Sequence, residues 1–218
     1  MFLFPLVAAV VSGLVALRAA RGAWRSGRVS LALWAFAFVQ FSAASALLAH
    51  GVGFGWTGAS FRAYYLLGAI LNVVWLGLGT VWLLAPRALA LAATVVVVAA
   101  SLYATMATTT VPLLPGAAEA LEGVVPAGRD VMPAGVRTLS RVFSIGGTLV
   151  VLAGLAWSIA VRRRRAVGLA LIAGGVVVVA VASELVRAGM VAAFSVGLAV
   201  GVGLMYLGFV RSGPSRPD

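Results

Sequence analysis

Cysteine is absent from the 218 residues, lysine is absent, and histidine occurs once, at His50. Without cysteine there is no disulfide, no thiolate nucleophile, no Cys-ligated zinc and no iron–sulfur cluster. Without lysine no retinal Schiff base can form, and a single histidine excludes a His-rich metal site. No cofactor is therefore expected. Acidic residues are scarce too, with 5 against 16 basic ones, all of them arginine, giving a net charge of +11. Charged residues make up only 10% of the chain, against about 25% in an ordinary soluble domain. What the chain does have is apolar surface: 63% of its residues are hydrophobic. A soluble protein of this length could not bury so much, so the composition indicates an integral membrane protein.

A bilayer core about 30 Å thick asks for roughly 20 apolar residues per helix. On that ruler the chain divides into seven spans, at 2–18, 30–50, 63–84, 88–107, 138–161, 166–186 and 189–210. The run Val95–Val98 is β-branched, but only helices or closed barrels satisfy the backbone in lipid, and the long apolar periods lack a barrel's alternation. The expected fold is all-α and polytopic, a single integral membrane domain over 1–218. No basic residue precedes the first span, whereas Arg18, Arg21, Arg25 and Arg28 follow it. That order predicts a retained first helix with its N-terminus outside and the C-terminus inside. With that topology the inner side holds Arg18, Arg21, Arg25, Arg28, Arg87, Arg162–Arg165, Arg211 and Arg216, which is 11 of the 16 arginines. The outer side keeps Arg62, Arg129, Arg137, Arg141 and Arg187, together with Glu119, Glu122, Asp130 and Glu184. The positive charge then faces anionic lipid at the inner leaflet, and no nucleic-acid partner is expected.

A shift of 138 residues lays Val29, Leu31, Ala32, Leu33, Ser45, Leu47 and Gly51 on Val167, Leu169, Ala170, Leu171, Ser183, Leu185 and Gly189. Farther on, Trp75-Leu76-Gly77 matches Tyr206-Leu207-Gly208. Biased composition produces such identities by chance as well. If the repeat is real, 1–84 is a first triple-helix unit, 88–107 a linker helix, 108–137 an outer loop and 138–211 a second triple-helix unit in the same orientation. This parallel 3+1+3 plan resembles that of the SWEET and PQ-loop carriers, over the whole chain but at the level of architecture. The Pro-Gln pair of that family is missing, and helices 2, 3, 5, 6 and 7 carry no internal proline. The resemblance implies a substrate path between two triplets. The chain is also similar to Ala/Gly/Arg-rich multi-helix proteins of the cytoplasmic membrane of high-GC bacteria, a similarity that implies no activity.

Polar side chains inside spans are functional candidates by default. Arg62, Tyr65, Ala69 and Asn72 share one face of helix 3, with Asn72 near mid-depth. Gln40 lies at a similar depth on helix 2, below His50. Arg137, Arg141, Ser144 and Thr148 form one face of helix 5, and Glu184 and Arg187 are spaced for an intrahelical ion pair. These groups predict an outward vestibule, with Arg62, Arg141, Arg187, Glu184 and His50 at its mouth and Gln40, Asn72 and Thr148 as its floor. The competing reading has the arginines snorkelling to lipid phosphates and the amides bridging helices as packing glue. Gly53-Phe-Gly-Trp-Thr-Gly58 matches G-x-G-x-x-G, but it follows a membrane helix instead of a strand and reads as a turn anchored at the interface by Trp56. Ala193, Gly197 and Gly201 form a small-residue stripe suited to close packing or to a homodimer.

Prolines 112, 115, 126 and 133 mark the connection 108–137 as a loop. A short helix is expected at 116–123, and Glu119, Glu122 and Asp130 are placed to hold the loop to the outer arginines. Among functions, a facilitative carrier of a small neutral or anionic solute fits the repeat and the mid-depth amides best, since so few acids remain to couple protons or sodium. The alternative is a non-catalytic accessory or assembly subunit of a larger membrane complex. A sensor without an output domain, or a lipid-acting enzyme using His50 and Glu184, ranks lower; no hydrolase motif is present.

Overall fold

The computed structural model describes residues 2–161, 166–187 and 191–212. Among these every regular element is helical. The chain runs α1 (Leu3–Ser26), α2 (Val29–Phe54), α3 (Gly58–Leu84), α4 (Arg87–Thr110), two short helices α5 (Ala117–Leu121) and α6 (Gly128–Val131), then α7 (Ala134–Val161), α8 (Ala166–Arg187) and α9 (Val191–Ser212). Five of them, α1, α2, α3, α4 and α7, are long and apolar enough to cross a membrane, and α8 and α9 add shorter apolar stretches at Ala170–Ala182 and Val196–Gly208.

Local chemistry sets the ends. α1 continues past residue 18 to carry Arg18, Arg21 and Arg25 on its last turns, where cations complement the carbonyl end of the helix dipole. Gly27 stops it in the left-handed region at φ 64°, its N–H donating to the Ala23 carbonyl at 2.8 Å, a conformation glycine adopts without a Cβ penalty. α3 starts at residue 58, earlier than the apolar run suggests, because Thr57 and Ser60 form a reciprocal capping box: the Thr57 hydroxyl accepts from the Ser60 N–H and the Ser60 hydroxyl from the Thr57 N–H. That pair satisfies two otherwise orphaned donors. α4 follows Pro86 and α7 follows Pro133, since proline's fixed φ and missing N–H suit the entry to a helix.

Six helices close a ring. α1 packs on α2, α2 on α3, α3 on α7, α7 on α8, α8 on α9, and α9 returns to α1; α4 lies outside the ring against α3 and, more lightly, α7. Two of the seams are close approaches of small residues. Along α3–α7, Gly77 and Thr80 face Gly147 and Gly154. Along α8–α9, Gly201 lies against the Gly175 carbonyl and Val179, and Gly197 against Ala182. The Gly197–Gly201 stripe is thus occupied within the chain, by α8. Small residues let backbones approach where lipid offers no hydrophobic drive to helix association.

Outward faces are apolar. Val95, Leu102, Val142 and Leu149 are each more than 60% exposed, and only 17% of the most apolar stretch of α4 is buried. In water such a surface would aggregate; in lipid it is the solvent-matched face. Inside, one apolar cluster joins Ala8, Leu48, Leu66, Ile70, Phe143, Ala182, Phe194 and Leu198 toward the end that bears the α2–α3 turn. A second joins Phe38, Leu76, Val151, Leu155, Val176 and Met205 toward the arginine-rich end.

The connection 111–133 folds down over the first cluster. Val131 and Met132 are fully buried, Ala117 nearly so, and the Leu114 N–H donates to the Val131 carbonyl at 3.1 Å. The expected short helix at 116–123 is present as α5, and α6 was not anticipated. Trp56 is not an interfacial anchor: it is 8% exposed, lies across Gly51, stacks edge-on with Phe61 and donates from Nε1 to the Val124 carbonyl at 3.1 Å. A side chain at Gly51 would collide with that indole.

Candidate functional site

Antiparallel α2 and α3 are keyed by two contacts. Ala44 sits 3.2 Å from where a Cβ on Gly68 would lie, and Trp34 Nε1 donates to the Leu76 carbonyl at 3.2 Å. One helical turn from Ala44 is Gln40, and one turn from Gly68, in the opposed direction, is Asn72. The register therefore sets Gln40 and Asn72 at the same height on facing stripes, near the middle of both helices. Both are buried, at 4% and 7% exposure. Gln40 Nε2, Gln40 Oε1 and Asn72 Oδ1 have no hydrogen-bond partner among the described residues.

That is an energetic anomaly. A buried amide oxygen or N–H without a partner costs about 1–3 kcal/mol, and such groups in folded proteins are otherwise met by protein, water or a ligand. Here three such atoms from two side chains share one level between the two apolar clusters. A carboxamide offers both donors and acceptors, so the pair can receive a polar molecule in either sense without any change of charge.

The backbone next to Asn72 is unusual. Tyr65–Leu71 forms a π-helical segment within α3, and the Asn72 N–H donates to the Leu67 carbonyl, five residues back. The Ala69 carbonyl inside this segment accepts two hydroxyls from α7, Ser140 at 3.0 Å and Ser144 at 2.9 Å. π segments widen a helix by one residue per turn and recur at functional positions. Ser144 thus ties α7 to the loosened turn of α3. Sequence gave no sign of the π segment. The signal for the bridge was the Ser140–Ser144–Gly147 stripe, which presents small and hydroxylic side chains on one face.

Of the other residues nominated from sequence, Thr148 follows Gly147, which abuts Val73, so it shares the level of Asn72; it is half-buried at the edge of α7's buried face. Arg62 is engaged: Nη1 donates to the Thr108 carbonyl and Nη2 to the Val111 carbonyl at 2.8 Å, stapling α3 to the end of α4. Arg141 and His50 are exposed, and His50 stacks on Phe54 with ring centroids 5.4 Å apart. The side chains of Glu184 and Arg187 lie outside the described residues. Gln40, Asn72 and Thr148 thus come to one height, while Arg62, Arg141 and His50 belong to the rim at the end that bears the α2–α3 turn and do not surround them. Glu119 and Glu122 are exposed, and the ion pair among the described residues joins neighbours Arg129 and Asp130 at 3.5 Å. The loop is held by Trp56, Arg62 and apolar packing, and among the described residues no bridge joins its acids to Arg62, Arg137 or Arg141. Among the described residues no cluster of His, Asp or Glu could hold a metal ion.

The helices and their outward apolar faces define the class: this is a multi-pass integral membrane protein that contacts the lipid bilayer. No family model matches the chain, and no curated protein or solved structure is significantly similar to it.

Proposed function

We propose that the protein is a facilitative carrier for a small neutral solute that both donates and accepts hydrogen bonds, with Gln40 and Asn72 as its mid-membrane recognition groups. The observation that carries this reading is the set of buried, unpartnered amide atoms on facing stripes of α2 and α3. Neutral cargo is favoured over anionic because Arg62, the cation on the same helix as Asn72, already serves two carbonyls. In this reading seven helices span the cytoplasmic membrane of a bacterium, N-terminus outside and C-terminus inside, with the arginine-rich end inward. The units α1–α3 and α7–α9 act as parallel halves joined by α4. Under a two-fold axis along the membrane normal, the α3–α7 seam maps onto the α9–α1 seam, and both seams occur. Passage then requires the halves to part along these seams, above and below the amide level in turn.

The test is solute flux in proteoliposomes, scanned over small polyols, sugars and amides by light-scattering. Gln40→Leu and Asn72→Leu are expected to abolish flux while the protein still folds and inserts. Unchanged flux in both folded variants removes the proposed site.

A second reading, an accessory subunit of a larger membrane complex, is favoured by the apolar clusters that fill the axis on either side of the amides. Copurification of a stoichiometric membrane partner, with no flux for any solute, would favour it.

A further inference from the structure

At the arginine-rich end a cleft of about 370 Å³ opens between the start of α2 and the end of α3, lined by Arg28, Val29, Ser30, Trp82 and Leu83. We infer that this cleft is a binding site for the phosphate of an anionic phospholipid. Three kinds of donor belong to its lining residues. Arg28, at the N-cap, is exposed and brings a permanent positive charge. α2 begins without a side-chain cap; its third and fourth N–H groups, on Leu31 and Ala32, return to the Arg28 carbonyl, leaving those of Val29 and Ser30, two residues that line the cleft, without a partner in the helix. Ser30 itself is 6% exposed, lines the cleft, and its hydroxyl has no partner among the described residues. A hydroxyl on a buried residue, making no hydrogen bond among the described residues, beside uncapped N–H groups and a guanidinium is a set of donors lacking its acceptor.

The walls point to a lipid in preference to a free ion. Val29 and Leu83 are exposed and apolar, and Trp82 is fixed with its Nε1 donating to Thr94 Oγ1 at 2.9 Å. An indole held at a helix end beside arginine matches the headgroup depth of a membrane, and apolar walls suit the glycerol and first acyl methylenes. The inference rests on this end facing the inner leaflet, but not on the carrier reading. Lipid binding and solute flux are separate readouts, so either can fail alone.

Delipidated full-length protein is titrated in detergent with phosphatidylglycerol, phosphatidylcholine and inorganic phosphate, and bound species are counted by native mass spectrometry. One phosphatidylglycerol is expected to bind about tenfold more tightly than phosphatidylcholine, with millimolar inorganic phosphate displacing little of it. Losing one hydrogen bond to a charged group is worth roughly tenfold in affinity, so Arg28→Gln and Ser30→Ala should each weaken phosphatidylglycerol by about that factor. Arg25→Gln, on a residue that does not line the cleft, should leave it unchanged. Ser30→Ala breaks no internal hydrogen bond, so it carries the test if Arg28→Gln misfolds. Equal weakening by Arg25→Gln would mean diffuse attraction between the basic end and the lipid, and would overturn the site. So would a wild-type affinity in Ser30→Ala, or full displacement by inorganic phosphate.

Discussion

Adjacent glycines on α7 should respond in opposite directions to the same substitution. A Cβ on Gly147 would come within 2.8 Å of the Val73 backbone carbon, its oxygen and its Cγ1, all on α3, whereas a Cβ on Gly146 would meet nothing within 4 Å. Carbon atoms rest at about 3.5–4.0 Å, so Gly147→Ala must open the α3–α7 seam by roughly 0.7–1.2 Å. Backbone cannot swing aside as a side chain can. The Ser140 and Ser144 bonds to the Ala69 carbonyl lie just above the clash and would stretch with it. Overpacking of this kind costs about 1–3 kcal/mol. The helix-propensity gain of alanine over glycine, about 1 kcal/mol, is common to both variants and cancels in the comparison. Gly146→Ala is therefore expected to match or slightly exceed the wild type, and Gly147→Ala to fall below Gly146→Ala by about 1–3 kcal/mol. Equilibrium unfolding in mixed micelles, followed by tryptophan fluorescence, measures the difference. Equal stability of the two variants would refute the α3–α7 packing described above.

Three further outcomes are expected. Gln40→Leu should raise stability in micelles by about 1–3 kcal/mol, because it removes two unpaired buried polar atoms, while abolishing flux in proteoliposomes; a loss of stability would mean that the amide has partners. Trp56→Phe should keep most of the ring packing but lose the bond to the Val124 carbonyl, worth about 1 kcal/mol, and cleavage of the 111–133 connection by added protease should accelerate. Glu122→Arg should leave that cleavage rate unchanged, since Glu122 is exposed and the connection is held by other groups; faster cleavage would show that its carboxylate is an anchor.

Much of the helical plan was legible because lipid leaves the backbone few choices. Apolar runs of bilayer length have to be helices, and the seven predicted segments fall within observed helices apart from residue 2, which precedes α1, and 189–190, which lie outside the described residues. The ends were harder to read. α3 begins at a capping box that hydropathy does not see, and α1 runs on through arginines that a hydropathy ruler counts as a stop. The mid-depth amides were visible as costly residues in apolar surroundings, but their common height depended on the α2–α3 register. The rim differs more from the sequence expectation, because opposite charges grouped at one end suggest ion pairs. Arginine has five donors and can satisfy itself on helix-end carbonyls, as Arg62 does at Thr108 and Val111.

From sequence alone follow the membrane class, the helical content, the absence of metal-binding cysteines and the uneven placement of arginine. These depend on composition and on distances along one helix, which the chain carries in its order of residues. Tertiary structure decided which helices neighbour one another, that Ala69 accepts two hydroxyls from α7, that Trp56 seals a loop instead of marking an interface, and that Gln40 and Asn72 stand at one level without partners among the described residues. Each of these depends on contacts between residues far apart in sequence, and in lipid those contacts are chosen by the fit of small side chains against backbone, which periodicity does not record.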